Sequence, residues 1–178
     1  AFVLGNSGEP KDTKQILARV KNGVIEIKDY LTKIDKEFSL QTVLHSDIKK
    51  YRSLLNADQY GLLCGTIINR DITVEAEKVL KSEPIVHKKI GELLNKHQEV
   101  LRDILKISTP KIDRMIELAL EAGAYGAKIN GSGGGGCMFA YAPENPEKVM
   151  EAINTIAEEA FVIYSDNGTH NDNIEAVA

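Results

Sequence analysis

Seven of the 14 glycines in this 178-residue sequence lie between positions 123 and 136, and positions 131–136 read Gly-Ser-Gly-Gly-Gly-Gly. Apolar segments flank this run, whereas a flexible linker would have polar flanks. Glycine permits positive φ angles and close backbone approach, and successive amide groups in such a loop can face an anion. We therefore predict a phosphate-proximal loop, with a tight structural turn as the alternative. Its members are Gly131, Ser132, Gly133, Gly134, Gly135 and Gly136.

The composition is that of an ordinary globular domain, with 43% apolar residues, 27% charged residues and a formal net charge of −4. The length favours one domain. Membrane and nucleic-acid partners are not expected, because the sequence has neither an apolar run of spanning length nor a basic stripe. Cys64 and Cys137 lie far apart, which argues against a disulfide scaffold and favours a cytoplasmic location.

The hydrophobic spacing predicts strands at both ends of the sequence and helices between them. Expected strands cover 1–4, 127–129, 138–142 and 160–164. Six helices are expected between and after these strands. The first runs from Pro10 to Ile34 with a break near Gly23, the second begins at a Ser39 cap, and the third covers 54–80 with weak points at Gly61 and Gly65. The fourth opens at Pro84, the fifth runs from 108–110 to Gly123, and the sixth starts at Pro146. The polar tail from Asp166 is expected to be frayed. This order predicts an α+β fold in which one small sheet packs against a helical layer.

The apolar run at positions 1–4 begins without any preceding element. We therefore expect this chain to be a C-terminal domain or fragment of a longer protein. A complete small protein whose first strand begins at residue 1 is the alternative.

Residues 127–137, Ala-Lys-Ile-Asn-Gly-Ser-Gly-Gly-Gly-Gly-Cys, resemble the third conserved motif of the GHMP kinases. The opening strand and the Pro10-Lys11-Asp12-Thr13 loop are similar to the start of the C-terminal half of mevalonate kinases. Residues 94–98, 101–103 and 108–113, together with Asn69-Arg70 and 73–76, look more like galactokinase. The resemblance implies that residues 1–178 form the C-terminal domain of this family, with a ferredoxin-like sheet packed against helices.

The resemblance implies transfer of the γ-phosphoryl group of ATP, with Mg²⁺, to a small-molecule hydroxyl. A sugar such as galactose is the expected acceptor, and mevalonate is the alternative. The family's nucleotide-phosphate loop and catalytic carboxylate belong to an N-terminal ATP-binding domain, and nothing in this sequence matches them. We therefore assign no catalytic residue and expect the chain alone to be inactive. The missing domain is an expected partner, and self-association into a homodimer is a further possibility. A non-catalytic ferredoxin-like ligand-binding module is the second alternative.

Three polar side chains near the predicted loop are possible substrate or phosphate contacts: Lys11, Thr13 and Lys128. A helix-capping role for Asp12-Thr13 is the alternative for Thr13, and a solvent-facing strand lysine is the favoured alternative for Lys128. Ser132 is predicted either to donate to a phosphate or magnesium-bound water or to bond its own backbone. Cys137 is expected to be a packing residue, and the four histidines lack the spacing of a zinc site, so no metal ligand is predicted.

Overall fold

A four-stranded antiparallel sheet forms one layer of the computed structural model, which describes residues 1–11, 13–166 and 168, without the side chains of Thr13 and Leu17. The strands are β1 (Phe2–Asn6), β2 (Gly126–Ile129), β3 (Cys137–Tyr141) and β4 (Glu159–Ile163), in the spatial order β2-β3-β1-β4. Each neighbouring pair is antiparallel, with Leu4 opposite Phe139 and Phe161. This is the predicted α+β, ferredoxin-like arrangement, and the four predicted strands are confirmed within two residues.

The helices lie mainly between β1 and β2. They are α1 (Thr13–Leu17), continued by a π-helical turn (Ala18–Asn22) into α2 (Gly23–Ile34); a 3₁₀ helix (Asp47–Leu54); α3 (Ala57–Leu80); α4 (His87–Glu99), continued by a second π-helical turn (Val100–Ile104); and α5 (Pro110–Glu121). The last helix, α6 (Pro146–Asn154), connects β3 to β4. Within the described residues no helix is long and apolar enough to cross a membrane.

Alternation along the strands gives the sheet two different faces. The inner face carries buried residues such as Val3, Met138 and Ala140 and packs against α5 and α6. A Cβ built on Gly5, in the middle of β1, would lie 2.8 Å from both Ile153 and Met115, which shows how closely these two helices approach. The outer face carries Phe2, Leu4, Phe139, Tyr141 and Lys128.

Local capping signals explain several helix boundaries. Asn56 Oδ1 accepts from the amide of Gln59 at 2.9 Å, and Gln59 Oε1 accepts from the amide of Asn56 at 3.1 Å, so a capping box starts α3. Thr109 caps α5 through a 3.2 Å bond from the amide of Ile112, with Pro110 in the first turn, as predicted.

Three helix predictions differ from the structure. Ser39 caps no helix: its hydroxyl accepts from the amide of Gln41, and the chain turns until the 3₁₀ helix begins at Asp47. Of the apolar positions predicted for that helix, Leu44 is 60% exposed, whereas Ile48 is buried and Leu40 and Val43 pack against the core. Gly61 and Gly65 do not weaken α3, which is continuous through both positions. The helix expected to open at Pro84 begins three residues later, at His87.

Helix α4 covers the free edge of β2. The amides of Ala127 and Ile129 donate to Asn95 Oδ1 at 3.0 Å and Gln98 Oε1 at 2.9 Å, so two helix side chains replace a missing neighbouring strand. The helix approaches closely because Gly91 and Gly126 face each other, and a Cβ on Gly126 would overlap the carbonyl oxygen of Gly91. The edge strand that leads into the glycine loop is thereby fixed.

Candidate functional site

Two segments distant in sequence converge on the glycine loop at one end of the sheet. The amide of Ser7 donates to Gly136 O at 2.8 Å, and the amide of Gly136 donates to Glu9 O at 3.2 Å. The amide of Gly134 donates to Ile107 O at 2.7 Å. The loop is therefore fixed between the segment after β1 and the segment before α5.

The loop has the backbone conformation that its glycines were expected to permit. The φ angles of Gly131, Gly133, Gly134, Gly135 and Gly136 are 75°, 85°, 73°, 115° and 73°. A 2.9 Å bond from the amide of Asn130 to Cys137 O closes the hairpin at its base. Residues other than glycine adopt this left-handed region at a cost, so the sequence here matches the backbone.

Packing imposes a second requirement for glycine at the centre of the loop. A Cβ on Gly133 would lie 2.5 Å from Ile107 O, and a Cβ on Gly135 would lie 2.9 Å from Pro10 O. A Cβ on Gly134 would overlap Ile16 Cδ1, on α1. The tight turn, which was the alternative interpretation, is therefore a real property of these three positions, whatever the loop binds.

The loop amides fall into two groups. Those of Gly134 and Gly136 donate to carbonyl groups of the protein. Those of Gly131, Gly133 and Gly135 meet no acceptor within the described part of the chain. Unpaired backbone donors are rare away from water; Gly131 is exposed, whereas Gly133 and Gly135 are buried in the loop.

Lys11 places a positive charge against both ends of the loop. Its Nζ lies 3.4 Å from Asn130 O, and a Cβ on Gly131 would lie 3.1 Å from the same Nζ. A Cβ on Gly136 would lie 3.3 Å from Lys11 Cδ. Ser132 is half-buried between these ends. Thr13 begins α1, but its side chain and Asp12 lie outside the described residues.

Lys128 does not share this position. It lies on the outer face of the sheet opposite Phe139, with its Nζ 5.1 Å from the centre of the Phe139 ring and 2.6 Å from Ile129 O. It is half-buried rather than solvent-facing, and burial lowers its pKa. The structure therefore brings Lys11, but not Lys128, into contact with the glycine loop.

A polar network that the sequence did not reveal braces the segment beneath the loop. Gln98 Nε2 donates to Ser108 Oγ at 3.0 Å and to Asp113 Oδ1 at 3.2 Å, and Ser108 Oγ donates to Asp113 Oδ1 at 2.6 Å. Thr109 Oγ1 donates to Glu9 Oε2 at 2.5 Å. The capping pattern at 108–110 was visible in the sequence, but its long-range partners Gln98 and Glu9 carried no local signal.

The remaining polar candidates lie away from the loop or contribute to packing. Cys137 is a half-buried free thiol. His87 Nδ1 lies 2.5 Å from the hydroxyl of Tyr141. Burial, and secondarily the charge of Lys128, lower the pKa of His97 to about 4. In the described ranges no group of three or more His, Cys, Asp or Glu side chains could hold a metal ion.

Comparisons with known proteins agree with this architecture. A family model described as the GHMP kinases C terminal matches residues 82–158. Mevalonate kinase from Pyrococcus furiosus is 39% identical over 152 residues, which cover 85% of this chain and 37% of that protein. Galactokinase from Mannheimia succiniciproducens is 31% identical over 115 residues, covering 57% of this chain and 30% of that protein.

Among solved structures, Lactococcus lactis galactokinase complexed with galactose matches with a TM-score of 0.71 and 23% identity, over 87% of this chain and 40% of that one. At this identity the likeness shows the fold alone. The chain spans about 37% of the length of the mevalonate kinase that it matches. The sequence matches and the fold together show that the chain belongs to the GHMP kinase superfamily and carries its C-terminal domain.

Proposed function

We propose that this chain supplies one wall of the active site of an ATP-dependent kinase that transfers the γ-phosphoryl group to a small-molecule hydroxyl. The observation that carries the proposal is the glycine loop, which is held rigidly and leaves the amides of Gly131, Gly133 and Gly135 without an acceptor in the described chain. The exposed ammonium of Lys11 lies against the same loop. Amides and a lysine together suit a phosphate group.

Phosphoryl transfer requires mainly positioning and neutralisation of charge on the transferring group. In the proposed enzyme, the loop amides and Lys11 stabilise negative charge that develops on the phosphate, and the Ser132 hydroxyl is a further donor. Magnesium would enter with ATP and neutralise part of the phosphate charge; we assign its protein ligands to the part of the relatives that this chain does not match. The catalytic carboxylate and the nucleotide-phosphate loop are assigned to that same part.

Mevalonate is the first acceptor that we propose. The P. furiosus mevalonate kinase aligns over 85% of this chain, whereas the galactokinase relative aligns over 57%. Galactose, favoured by several sequence segments, is the second candidate, supported by the galactokinase relative. With either acceptor a hydroxyl oxygen would attack the γ-phosphorus of ATP, so the proposed role of the loop is the same for both.

The decisive experiment uses the complete natural polypeptide that contains this sequence. Phosphorylated product is measured with ATP and Mg²⁺ and with mevalonate, galactose and a panel of other sugars. We expect turnover of mevalonate and its loss without ATP. Turnover of galactose alone would replace the first acceptor by the second. Tight ligand binding with no ATP-dependent product from any acceptor would overturn the kinase proposal in favour of a non-catalytic binding module.

A further inference from the structure

A second potential ligand site lies on the outer face of the sheet, away from the glycine loop. A cavity of about 300 Å³ opens between this face and helices α3 and α4. Its walls are apolar, and they include Phe2 and Phe139 from the sheet, Ala76 from α3, and Leu93 and Leu94 from α4. The two phenylalanine rings meet edge to face with centroids 6.0 Å apart. This volume and lining suit the body of a small apolar molecule.

One titratable side chain, the half-buried His97, lies in the wall of this cavity. The imidazole of His97 makes no hydrogen bond to the described residues, although the backbone carbonyl of His97 accepts from the amide of Val100. The pKa of the imidazole is lowered to about 4, so at neutral pH it presents one N–H donor and one acceptor. An imidazole in the wall of an apolar cavity can form a hydrogen bond with a polar group of a ligand there.

Lys128 adds a positive charge beside the same wall. Its Nζ is 5.1 Å from the centre of the Phe139 ring and donates to Ile129 O, which leaves further N–H donors on the ammonium. None of the ion pairs in the described part of the chain involves Lys128. A half-buried cation without a carboxylate partner is costly, and an anion from a ligand would compensate it.

We propose that this cavity binds a small amphipathic carboxylate, with its apolar body between Phe2, Phe139 and helices α3 and α4, and its anionic head toward Lys128 and His97. The apolar walls select the body and the unpaired cation selects the charge. The site is separate from the glycine loop and does not depend on the proposed kinase activity.

The test uses the 178-residue chain and three probes: 3-phenylpropionate, the uncharged 3-phenylpropan-1-ol, and propionate, which lacks the aromatic body. Dissociation constants are measured by calorimetry, and the His97 pKa is measured by NMR of the ring protons. We expect the aromatic acid to bind at least about tenfold more tightly than the alcohol, because the alcohol lacks the hydrogen-bonded charge. The same margin is expected over propionate, because propionate lacks the aromatic body. The acid should raise the pKa of His97, and the alcohol should not.

Variants separate the two halves of the site. Lys128→Met should weaken the acid about tenfold and leave the alcohol unchanged, whereas Ala76→Leu should weaken both by filling the cavity. Lys96→Met, on an exposed position of α4, is the matched control and should change neither. Equal affinity for acid and alcohol, or an unchanged His97 pKa with saturating acid, would overturn the proposal. The wild-type pKa measurement requires no variant to fold.

Discussion

Replacing Gly134 by alanine should destabilise the chain more than the same change at Gly131, although the two backbones are almost identical. Their φ angles are 73° and 75°, so the left-handed conformation costs alanine about 1–2 kcal/mol at either position. The surroundings differ. A Cβ on Gly131 approaches only the mobile end of Lys11, whereas a Cβ on Gly134 overlaps Ile16 Cδ1.

The extra cost follows from that overlap. Forcing a methyl group into a packed contact costs about 1–3 kcal/mol, so Gly134→Ala should lose about 2–5 kcal/mol and Gly131→Ala about 1–2 kcal/mol. At about 2–4 °C per kcal/mol for a chain of this size, the two melting temperatures should separate by about 2–12 °C. Urea unfolding of the 178-residue chain, followed by circular dichroism, gives the free energies directly.

A double-mutant cycle tests the cause. Ile16→Ala removes the Cδ1 atom, so Gly134→Ala in that background should cost only about 1–2 kcal/mol, and the two changes should be coupled by about 1–3 kcal/mol. Equal losses at Gly131 and Gly134, or additivity within about 0.5 kcal/mol, would refute the packing argument and leave backbone conformation as the whole effect.

Four further expectations follow. In the complete natural polypeptide, Lys11→Met should lower kcat/KM for ATP-dependent turnover at least about tenfold, with the exposed Lys14→Met as the control; equal rates would remove Lys11 from the site. Gln98 is 3% exposed and bonds the amide of Ile129, so Gln98→Ala should cost about 1–3 kcal/mol in urea unfolding, against no loss for the exposed Glu99→Ala. The pKa of His97 is about 4 in the folded chain against an ordinary 6.5, so between these pH values the unfolded chain binds more protons. The free energy of unfolding should therefore fall as the pH drops from about 6.5 to about 4, and His97→Gln should flatten this part of the pH profile. Parallel profiles for the wild type and the variant would contradict this expectation. The 178-residue chain alone should phosphorylate neither mevalonate nor galactose, and product formed with ATP would disprove this.

Local signals in the sequence were sufficient where the structure depends on near neighbours. The cap at Thr109 and Pro110 was predicted because its hydrogen bond spans three residues. The prediction at Ser39 failed because its hydroxyl accepts from the amide of Gln41 in a turn, although Ile48, further along the same apolar pattern, is buried. Which of these outcomes occurs depends on distant packing, which no local pattern contains.

The candidate site shows the same division. The positive φ angles of the loop could be predicted from the glycines themselves. Its hydrogen-bond partners could not, because Ile107 and Glu9, whose carbonyl groups accept from the loop amides, lie far away in the sequence. Lys11 and Lys128 were both predicted as possible phosphate contacts, with a strand lysine as the favoured alternative for Lys128. The alternation of β2 places Lys128 on the outer face of the sheet, whereas the segment after β1 brings Lys11 to the loop. The roles of both lysines were therefore decided by the pairing of strands.

The hydrogen bonds of the loop connect its rigidity to its proposed chemistry. Gly134 and Gly136 donate their amides to the protein, whereas Gly133 and Gly135, which alternate with them, do not. A loop that used every amide internally would have none for a phosphate, and one that used none would have to become ordered when the phosphate binds. With alternate amides fixed, the others are oriented before any ligand arrives. Donors oriented in advance stabilise developing charge without a cost of reorganisation. The packing that excludes a Cβ at Gly133, Gly134 and Gly135 is therefore compatible with phosphate binding and, in the proposed kinase, a condition for it.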